Sequence, residues 1–185
     1  LALQAEGAKV GILDADIYGP SQPRMMGVSG KPDSTDGKTI EAKIAHGVQV
    51  MSIGLLIDED TPMIWRGPMV TQALTQLLFD TNWRDLDYLV IDLPPGTGDI
   101  HLSLCQKVPV SGAVIVTTPQ DIALLDAKKA LKMFEKVNVP VLGIVENMAI
   151  HVCSNCGHAE HIFGEGGGAR MAAQYAVPVL GSLPL

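Results

Sequence analysis

Short apolar runs alternate with amphipathic stretches along most of this chain. The apolar runs predict six β-strands, at residues 9–13, 48–53, 88–91, 113–117, 141–145 and 179–183. Most of these runs are continuously apolar, which is typical of strands that are buried on both faces in a parallel sheet. Gly, Lys, Pro, Asp, Ser and Thr crowd residues 29–43, and this composition predicts a mobile loop there.

Apolar residues recur at helical spacing in two of the stretches between these strands, one after Pro68 and one after Asp121. Four apolar side chains fall on one helical face in each stretch: Val70, Leu74, Leu77 and Leu78, and Leu124, Ala127, Leu131 and Phe134. The alternation of strands and helices predicts an α/β fold, with a mainly parallel sheet flanked by helices on both faces. The length of 185 residues fits a single domain, residues 1–185.

Composition and charge exclude several classes of function. The net charge of −7 argues against a nucleic-acid surface, which needs a basic patch. We find no apolar run long enough to span a membrane and no signal-peptide pattern, so we expect no membrane partner. Three cysteines do not make a disulfide framework, and we therefore expect a reducing, cytoplasmic location.

A carboxylate and a Pro/Gly turn follow the apolar run 88–91, in the sequence Asp-Leu-Pro-Pro-Gly-Thr-Gly-Asp from Asp92 to Asp99. A carboxylate in this place lies at the carboxyl edge of a sheet, where open α/β folds bind ligands, and it could hold a magnesium ion. Gly96 and Gly98 would let backbone N–H groups approach a phosphate. Taken alone, the same residues fit an ordinary turn equally well.

The run 9–13 ends in a similar way, with Asp14-Ala15-Asp16-Ile17-Tyr18-Gly19-Pro20-Ser21. Two strands therefore bring acidic residues and Gly/Pro turns to what could be one edge of the sheet. A repeated ending of this kind is harder to explain as two unrelated turns.

A second chemistry is indicated near residues 151–161, where Cys153 and Cys156 form a C-x-x-C motif. Such a turn brings two thiolates close enough to share one metal or cluster. A zinc or 4Fe–4S centre usually takes four ligands, and the sequence contains no second C-x-x-C. Either nearby histidines (His151, His158 and His161) complete the site or a second subunit does. Cys105, in an apolar helical context, is interpreted as a small buried hydrophobic residue.

Two further features have structural interpretations. His101 is interpreted as a helix-surface residue or as one that lies behind the site, because phosphoryl transfer needs no histidine. The glycine-rich stretch 163–168 lacks a preceding strand and the G-x-G-x-x-G spacing of a dinucleotide site. We expect it to be a flexible lead into a helix at residues 169–175.

Five segments together resemble one family. They are DADIYGPS at 14–21, WRGPM at 65–69, DLPPGTGD at 92–99, TTPQ at 117–120 and CSNC at 153–156. In this order and spacing they are similar to the Mrp-type ATPases, which are iron–sulfur cluster carriers among the P-loop NTPases related to MinD and to nitrogenase iron protein. The resemblance covers nearly the whole chain and implies their fold.

The resemblance also implies roles for single residues. Asp16 matches the carboxylate that positions the attacking water, and Asp92 matches the acid that reaches magnesium, usually through water. Gly96 resembles the glycine whose N–H meets the γ-phosphate, and Asn147 resembles an asparagine that contacts adenine. Asp14 belongs to the same region, either in nucleotide binding or as a cap that orients the end of the strand.

The family resemblance implies an ATPase that carries a 4Fe–4S cluster between two identical subunits and transfers it to apoproteins, with cluster scaffold proteins as further partners. The family's GKGGVGKS-type phosphate loop is absent from this sequence. We therefore expect a fragment that lacks most of its phosphate affinity. Two alternatives stay open: a MinD/ParA-like positioning ATPase, and a non-catalytic module that binds zinc in place of the cluster.

Overall fold

The computed structural model describes residues 1–34, 37–56 and 67–185 of the chain. The chain divides into two compact units, Leu1–Pro95 and Gly96–Leu185. The single-domain organisation stays a prediction. Two residues of the motif at 65–69, Trp65 and Arg66, lie outside the described residues, as do residues 35 and 36 of the predicted loop.

The elements of the first unit are α1 (Ala2–Ala5), β1 (Val10–Asp14), α2 (Gln22–Met26), β2 (Lys43–Ala45), β3 (Val48–Ser52), a 3₁₀ helix (Ile53–Leu55), α3 (Gly67–Phe79) and β4 (Tyr88–Asp92). Its strands form a four-stranded sheet in the order β2-β3-β1-β4. Strand β1 lies in the middle and pairs in parallel with β3 and β4, whereas β2 pairs antiparallel with β3. The inner strands β1 and β3 bury Leu13, Val50 and Met51 completely, as expected of strands in the middle of a sheet.

The elements of the second unit are α4 (Asp99–Lys107), β5 (Ala113–Thr117), α5 (Asp121–Lys136), β6 (Val141–Val152), β7 (Ala159–Glu160), α6 (Gly167–Tyr175) and β8 (Val179–Pro184). Its strands form another four-stranded sheet, in which β6 pairs with β5, β7 and β8. Strands β5 and β8 run parallel to β6, and β7 runs antiparallel to it. The mixed sheets and their helices confirm the α/β class.

Both predicted amphipathic helices form. Helix α3 has Pro68 in its first turn, and α5 begins at Asp121. All eight apolar positions assigned to their inner faces are buried: Val70, Leu74, Leu77, Leu78, Leu124, Ala127, Leu131 and Phe134. Burial of these faces, more than helix propensity, stabilises both helices.

Some strand predictions were wrong in detail. Strand β6 runs on to Val152, past the predicted end at residue 145, and the two short antiparallel strands β2 and β7 were not predicted. In β5, buried residues alternate with the exposed Val114 and Val116, so this strand is not buried on both faces within the described structure. The described part of the predicted loop 29–43 is anchored, because Ile40 forms a parallel bridge with Thr81.

No helix in the described ranges is both long enough and apolar enough to cross a membrane.

Candidate functional site

Three polar residues lie at the same level at the carboxyl end of the first sheet. Asp14, the last residue of β1, is in register with Ser52 of β3 on one side and with Asp92 of β4 on the other. The main chains also meet just beyond this level, where the N–H of Ala15 donates to the carbonyl oxygen of Asp92 at 2.8 Å. The sheet thus brings together the two acidic segments that the sequence indicated.

The Asp14 carboxylate is completely buried and accepts three hydrogen bonds. Its donors are the N–H of Asp16 at 3.1 Å, the N–H of Gln22 at 3.1 Å and the hydroxyl of Ser52 at 3.0 Å. Burial raises the pKa of Asp14, the three donors oppose that rise, and the nearby Asp92 charge adds to it. This carboxylate holds the turn after β1 in place.

Asp16 lies at the start of that turn and is half-buried. Its Oδ1 accepts the N–H groups of Tyr18 at 3.1 Å and Gly19 at 3.3 Å, so it closes a local turn of the kind that Asp favours. These bonds fix the side chain next to Asp14, which holds the N–H of Asp16 itself. A carboxylate fixed in this way can orient a water molecule.

Asp92 is bound by a residue that sequence analysis did not select. The side-chain Nε2 of Gln22 donates to Oδ2 of Asp92 at 2.7 Å, across 70 residues of sequence. Gln22 is the first residue of α2, so the turn that carries Asp16 ends at the residue that holds Asp92. Ser52 was missed as well, because it lies inside the predicted apolar run 48–53, and its place at the end of β3 appears only in the structure.

Gly96 has a φ of 103°, a conformation that disfavours any residue with a Cβ, and a Cβ built there would meet no atom within 4 Å. A Cβ on Gly98, the residue before α4, would also lie in open space. Both backbones are therefore accessible for a close approach by a ligand. His101 in α4 is only 4% exposed, so the first of its two interpretations, as a helix-surface residue, was wrong, and the second, which places it behind the site, stays a prediction.

Cys153 and Cys156 lie in a tight turn between β6 and β7. The N–H of Cys153 donates to the carbonyl of His158, and the N–H of Gly157 donates to the carbonyl of Cys153, both at 2.9 Å. Gly157 adopts a φ of 71°, which lets the chain return as β7. We use the name thiol hairpin for residues 151–160, in which His151 pairs with Glu160 and Val152 with Ala159.

The backbone of this turn lowers the pKa of one of its two thiols and so favours the thiolate, the form that binds a metal. The N–H groups of Cys156 and Asn155 point to the sulfur of Cys153 and lower its pKa, with a further contribution from the Cys156 side chain. Cys156 is exposed, and both cysteines are free thiols. Cys105, by contrast, is half-buried in α4, and burial raises the pKa of its thiol.

The described residues contain no group of three or more His, Cys, Asp or Glu side chains that could hold a metal ion. The ring of His161 is oriented by its Nδ1, which lies 2.7 Å from the carbonyl oxygen of Ala149. Since a carbonyl only accepts, this Nδ1 carries the proton. Because no third ligand is grouped with them in the described part of the chain, the two cysteines of the thiol hairpin supply two of the four ligands that a tetrahedral site takes.

Asn147 lies inside β6, not after a strand as expected. Pairing between β6 and β8 shifts register between Glu146 and Ile150, and Met148 has a φ of 54°, which is rare for a residue other than Gly, Asn or Asp. The Oδ1 of Asn147 accepts the N–H of Met148 at 3.0 Å. Residue 147 is thus part of a bulge five residues before Val152, the last residue of β6.

Glu146, the buried residue before this bulge, connects β6 to α6. Its carboxylate accepts the N–H of Gly168, and a Cβ added to Gly168 would come within 2.9 Å of Glu146 Oε2. Gly167 is equally constrained, because its Cβ would lie 2.8 Å from both Leu124 Cδ1 and Pro119 O. The expectation of a flexible lead was therefore wrong for these two glycines, which form the buried first turn of α6.

Comparison with known proteins places these features in a family. The family described as ParA, NUBPL iron-transfer P-loop NTPase, matches residues 1–185. An iron–sulfur cluster carrier protein of Pseudomonas fragi is 67% identical over 187 residues, which cover 100% of this chain and 65% of that protein.

Solved structures agree. A nucleotide-binding protein of Archaeoglobus fulgidus, in complex with ADP and with Co found, has a TM-score of 0.84 at 39% identity, covering 100% of this chain and 72% of that one. The cell division ATPase MinD of Pyrococcus furiosus has a TM-score of 0.64 at 21% identity, covering 99% and 73%, and shares the fold.

The chain spans 65% of the Pseudomonas fragi protein and 50% of an iron–sulfur cluster carrier protein of Escherichia coli, to which it is 62% identical. The family match over residues 1–185 and these sequence identities agree with the family resemblance that the five sequence motifs indicated. This chain belongs to the NUBPL-type iron-transfer family of P-loop NTPases.

Proposed function

We propose that this chain is part of a nucleotide-dependent iron–sulfur cluster carrier, which binds a cluster through Cys153 and Cys156 and transfers it to apoproteins. The thiol hairpin is the observation that carries the proposal. It presents an exposed thiol beside one whose pKa is lowered by two backbone N–H groups. A loop that exposes its sulfur atoms suits a cluster that must be handed on, whereas a permanent cofactor is usually enclosed.

The ligand count supports a cluster shared between two copies of the chain. A 4Fe–4S cluster takes about four thiolates, and the hairpin supplies two. Since the described residues offer no third ligand, a second copy would complete the set. We therefore propose a homodimer with one bridging cluster, which receives its cargo from scaffold proteins and delivers it to apo iron–sulfur proteins in a reducing cytoplasm.

The nucleotide part of the proposal rests on the carboxylates of the first unit. Asp92 would hold a hydrated magnesium ion and Asp16 would orient the attacking water, because both are fixed by hydrogen bonds at the end of the sheet. Asp14 would keep the turn that carries Asp16 in place. Gly96 would present its N–H to the γ-phosphate, and Asn147 would contact the adenine.

These residues fit magnesium, since carboxylate oxygens are the ligands that this hard cation prefers. Gln22 bonds only Oδ2 of Asp92, and the hydrogen bonds described for the chain include none to Oδ1. The ion, when bound, would supply charge stabilisation to the phosphates. The 185 residues contain no glycine-rich phosphate loop, so hydrolysis would also need that segment.

Anaerobic reconstitution with iron and sulfide tests the cluster proposal. We expect broad visible absorbance, about two iron and two sulfide per chain, and a dimer by size-exclusion mass. Cys153→Ser and Cys156→Ser should each remove the cluster and weaken the dimer. Cys105→Ser is the matched control, because that thiol lies in α4 and should leave the cluster in place.

Zinc is the metal that competes with the cluster for the thiol hairpin, since a C-x-x-C turn also binds zinc. Under that alternative, alanine at His151, His158 or His161 would strip metal from a monomer, whereas the bridging cluster would survive all three changes. A colourless monomer with stoichiometric zinc would overturn the carrier proposal. A MinD-like positioning ATPase is supported by the shared fold alone.

A further inference from the structure

Gln22 contacts both carboxylates that end β1 and β4. Its backbone N–H donates to Oδ2 of Asp14 at 3.1 Å, and its side-chain Nε2 donates to Oδ2 of Asp92 at 2.7 Å. Asp14 is completely buried, so the backbone of Gln22 is fixed at the sheet edge by a group that cannot turn towards solvent. The side chain then reaches across to the neighbouring strand.

The bond to Asp92 is of the strong, charge-assisted kind. An amide N–H that donates to a carboxylate at 2.7 Å is at the short end of the range for such bonds. A carboxylate offers about four lone-pair sites, of which this bond uses one, so Asp92 can still accept hydrogen bonds from the water shell of a cation. Gln22 can therefore hold the orientation of Asp92 without occupying its remaining acceptor sites.

We propose that Gln22 is a positioning residue for the divalent cation: its carboxamide holds the Asp92 carboxylate in the orientation that receives hydrated magnesium. This inference rests on the proposed function, in which Asp92 reaches that ion. Gln22 acts only through Asp92 and touches neither the ion nor the nucleotide. Because one residue joins Asp14 to Asp92, the turn that carries Asp16 and the magnesium carboxylate are held in a single arrangement.

Gln22→Met tests the side chain separately from the backbone. Methionine has a similar length and keeps the N–H that binds Asp14, but it cannot donate to Asp92. In the protein with its phosphate loop present, the Mg²⁺ concentration for half-maximal ATP hydrolysis should rise about tenfold, as for other residues that orient a metal ligand. The rate at saturating Mg²⁺ should change much less, because the carboxylate itself is retained.

Gln49→Met is the matched control. The carboxamide of Gln49, like that of Gln22, is held by hydrogen bonds to a distant segment: its Nε2 donates to the carbonyl of Arg84, and its Oε1 accepts the N–H of Arg84, both at 2.8 Å. Both bonds join Gln49 to the main chain of Arg84 and not to a carboxylate, so Gln49→Met should keep the wild-type Mg²⁺ dependence of ATP hydrolysis. A purely structural role of Gln22 would shift the melting temperature and leave the Mg²⁺ dependence unchanged, which would overturn the inference.

A second readout needs no hydrolysis. In ¹⁵N spectra of this chain, the side-chain NH₂ pair that disappears in Gln22→Met should shift when Asp92 is changed to Asn and stay in place in Asp87→Asn. An unmoved pair in the Asp92 variant would overturn the inference. If Asp92→Ala hydrolyses ATP with unchanged Mg²⁺ dependence, the proposed role of Asp92 fails, and the inference fails with it. If that variant is inactive and Gln22→Met equals wild type, the inference alone fails.

Discussion

Removal of the Asp14 carboxylate should destabilise the first unit, because the structure described shows no other acceptor for its three donors. Asp14→Ala leaves the Ser52 hydroxyl buried without its acceptor, and it leaves the N–H groups of Asp16 and Gln22 in half-buried positions. An unsatisfied buried polar group costs about 1–3 kcal/mol, and one that water can reach costs less. We therefore expect the free energy of unfolding to fall by about 3 kcal/mol.

Asp14→Asn should cost less than Asp14→Ala. In either orientation of the amide, its NH₂ group replaces an oxygen that accepts a backbone N–H, from Asp16 at Oδ1 or from Gln22 at Oδ2. The NH₂ group then faces a backbone N–H, while the remaining oxygen of the amide still accepts its hydrogen bond. We therefore expect the free energy of unfolding to fall by about 1–2 kcal/mol. Asp126→Asn, which removes an exposed ion pair with Lys129 at 3.0 Å, is the control and should change stability by less than about 0.5 kcal/mol.

The raised pKa of Asp14 also predicts the direction in which the stability difference between wild type and Asp14→Asn changes with pH. Burial raises the pKa of Asp14 above its ordinary value of 3.8, so the folded state keeps this proton at a pH at which the unfolded chain has lost it. The stability that this difference in pKa between the folded and unfolded states contributes is therefore fully present below 3.8 and is lost as the pH rises through the raised value. The difference in stability between wild type and Asp14→Asn should widen as the pH falls through that window.

Urea unfolding at several pH values measures both effects, and comparison with the variant cancels the other carboxylates. Two results would refute the reasoning. A loss below about 1 kcal/mol in Asp14→Ala would mean that the three donors find water easily. A difference that narrows towards acid pH would mean that the folded-state pKa of Asp14 is lowered.

Three further predictions concern the nucleotide and the backbone. Calorimetric titration of these 185 residues with Mg-ATP should show no tight binding, because the phosphate loop is absent from the sequence, and micromolar affinity would place the phosphate site elsewhere. With that loop present, Asp16→Ala and Asp92→Ala should each slow ATP hydrolysis by at least about a hundredfold with an unchanged circular dichroism spectrum, and normal turnover in both would refute the assigned roles. Ala176→Gly should raise the free energy of unfolding by about 0.5–1 kcal/mol in a urea titration, since Ala176 caps the end of α6 with a φ of 53°, and a loss of stability would contradict this explanation.

Most of the fold could be predicted because its main signals are local in sequence. The strand β5 and the start of α5 follow directly from the apolar pattern. The parts that were missed depend on pairing between distant segments. Strand β2 is short and exists through its contact with β3, and β6 continues past residue 145 although Met148 adopts a left-handed conformation inside it. A bulge of this kind interrupts the alternation on which strand prediction relies.

In the candidate site too, some residues could be predicted from local signals, and others depend on contacts between distant segments. Asp14 and Asp92 could be selected because each ends an apolar strand, and a parallel sheet brings such ends together. Gln22 could not, because its role is created by a bond across 70 residues and its own sequence position is that of an ordinary first residue of a helix. The glycines that open α6 were misread for a related reason: Gly167 and Gly168 suggest flexibility, but Glu146 and Pro119 leave no space there for a Cβ.

The thiol hairpin shows where a local signal is sufficient and where it ends. The C-x-x-C spacing alone identifies two ligands, and the turn adds a reason for their chemistry, because the N–H groups of Asn155 and Cys156 lower the pKa of Cys153. No local pattern states how many further ligands are needed, since that number belongs to the metal or cluster. The count of two within the described residues is therefore the physical basis for the expected dimer, and iron, sulfide and mass together measure it.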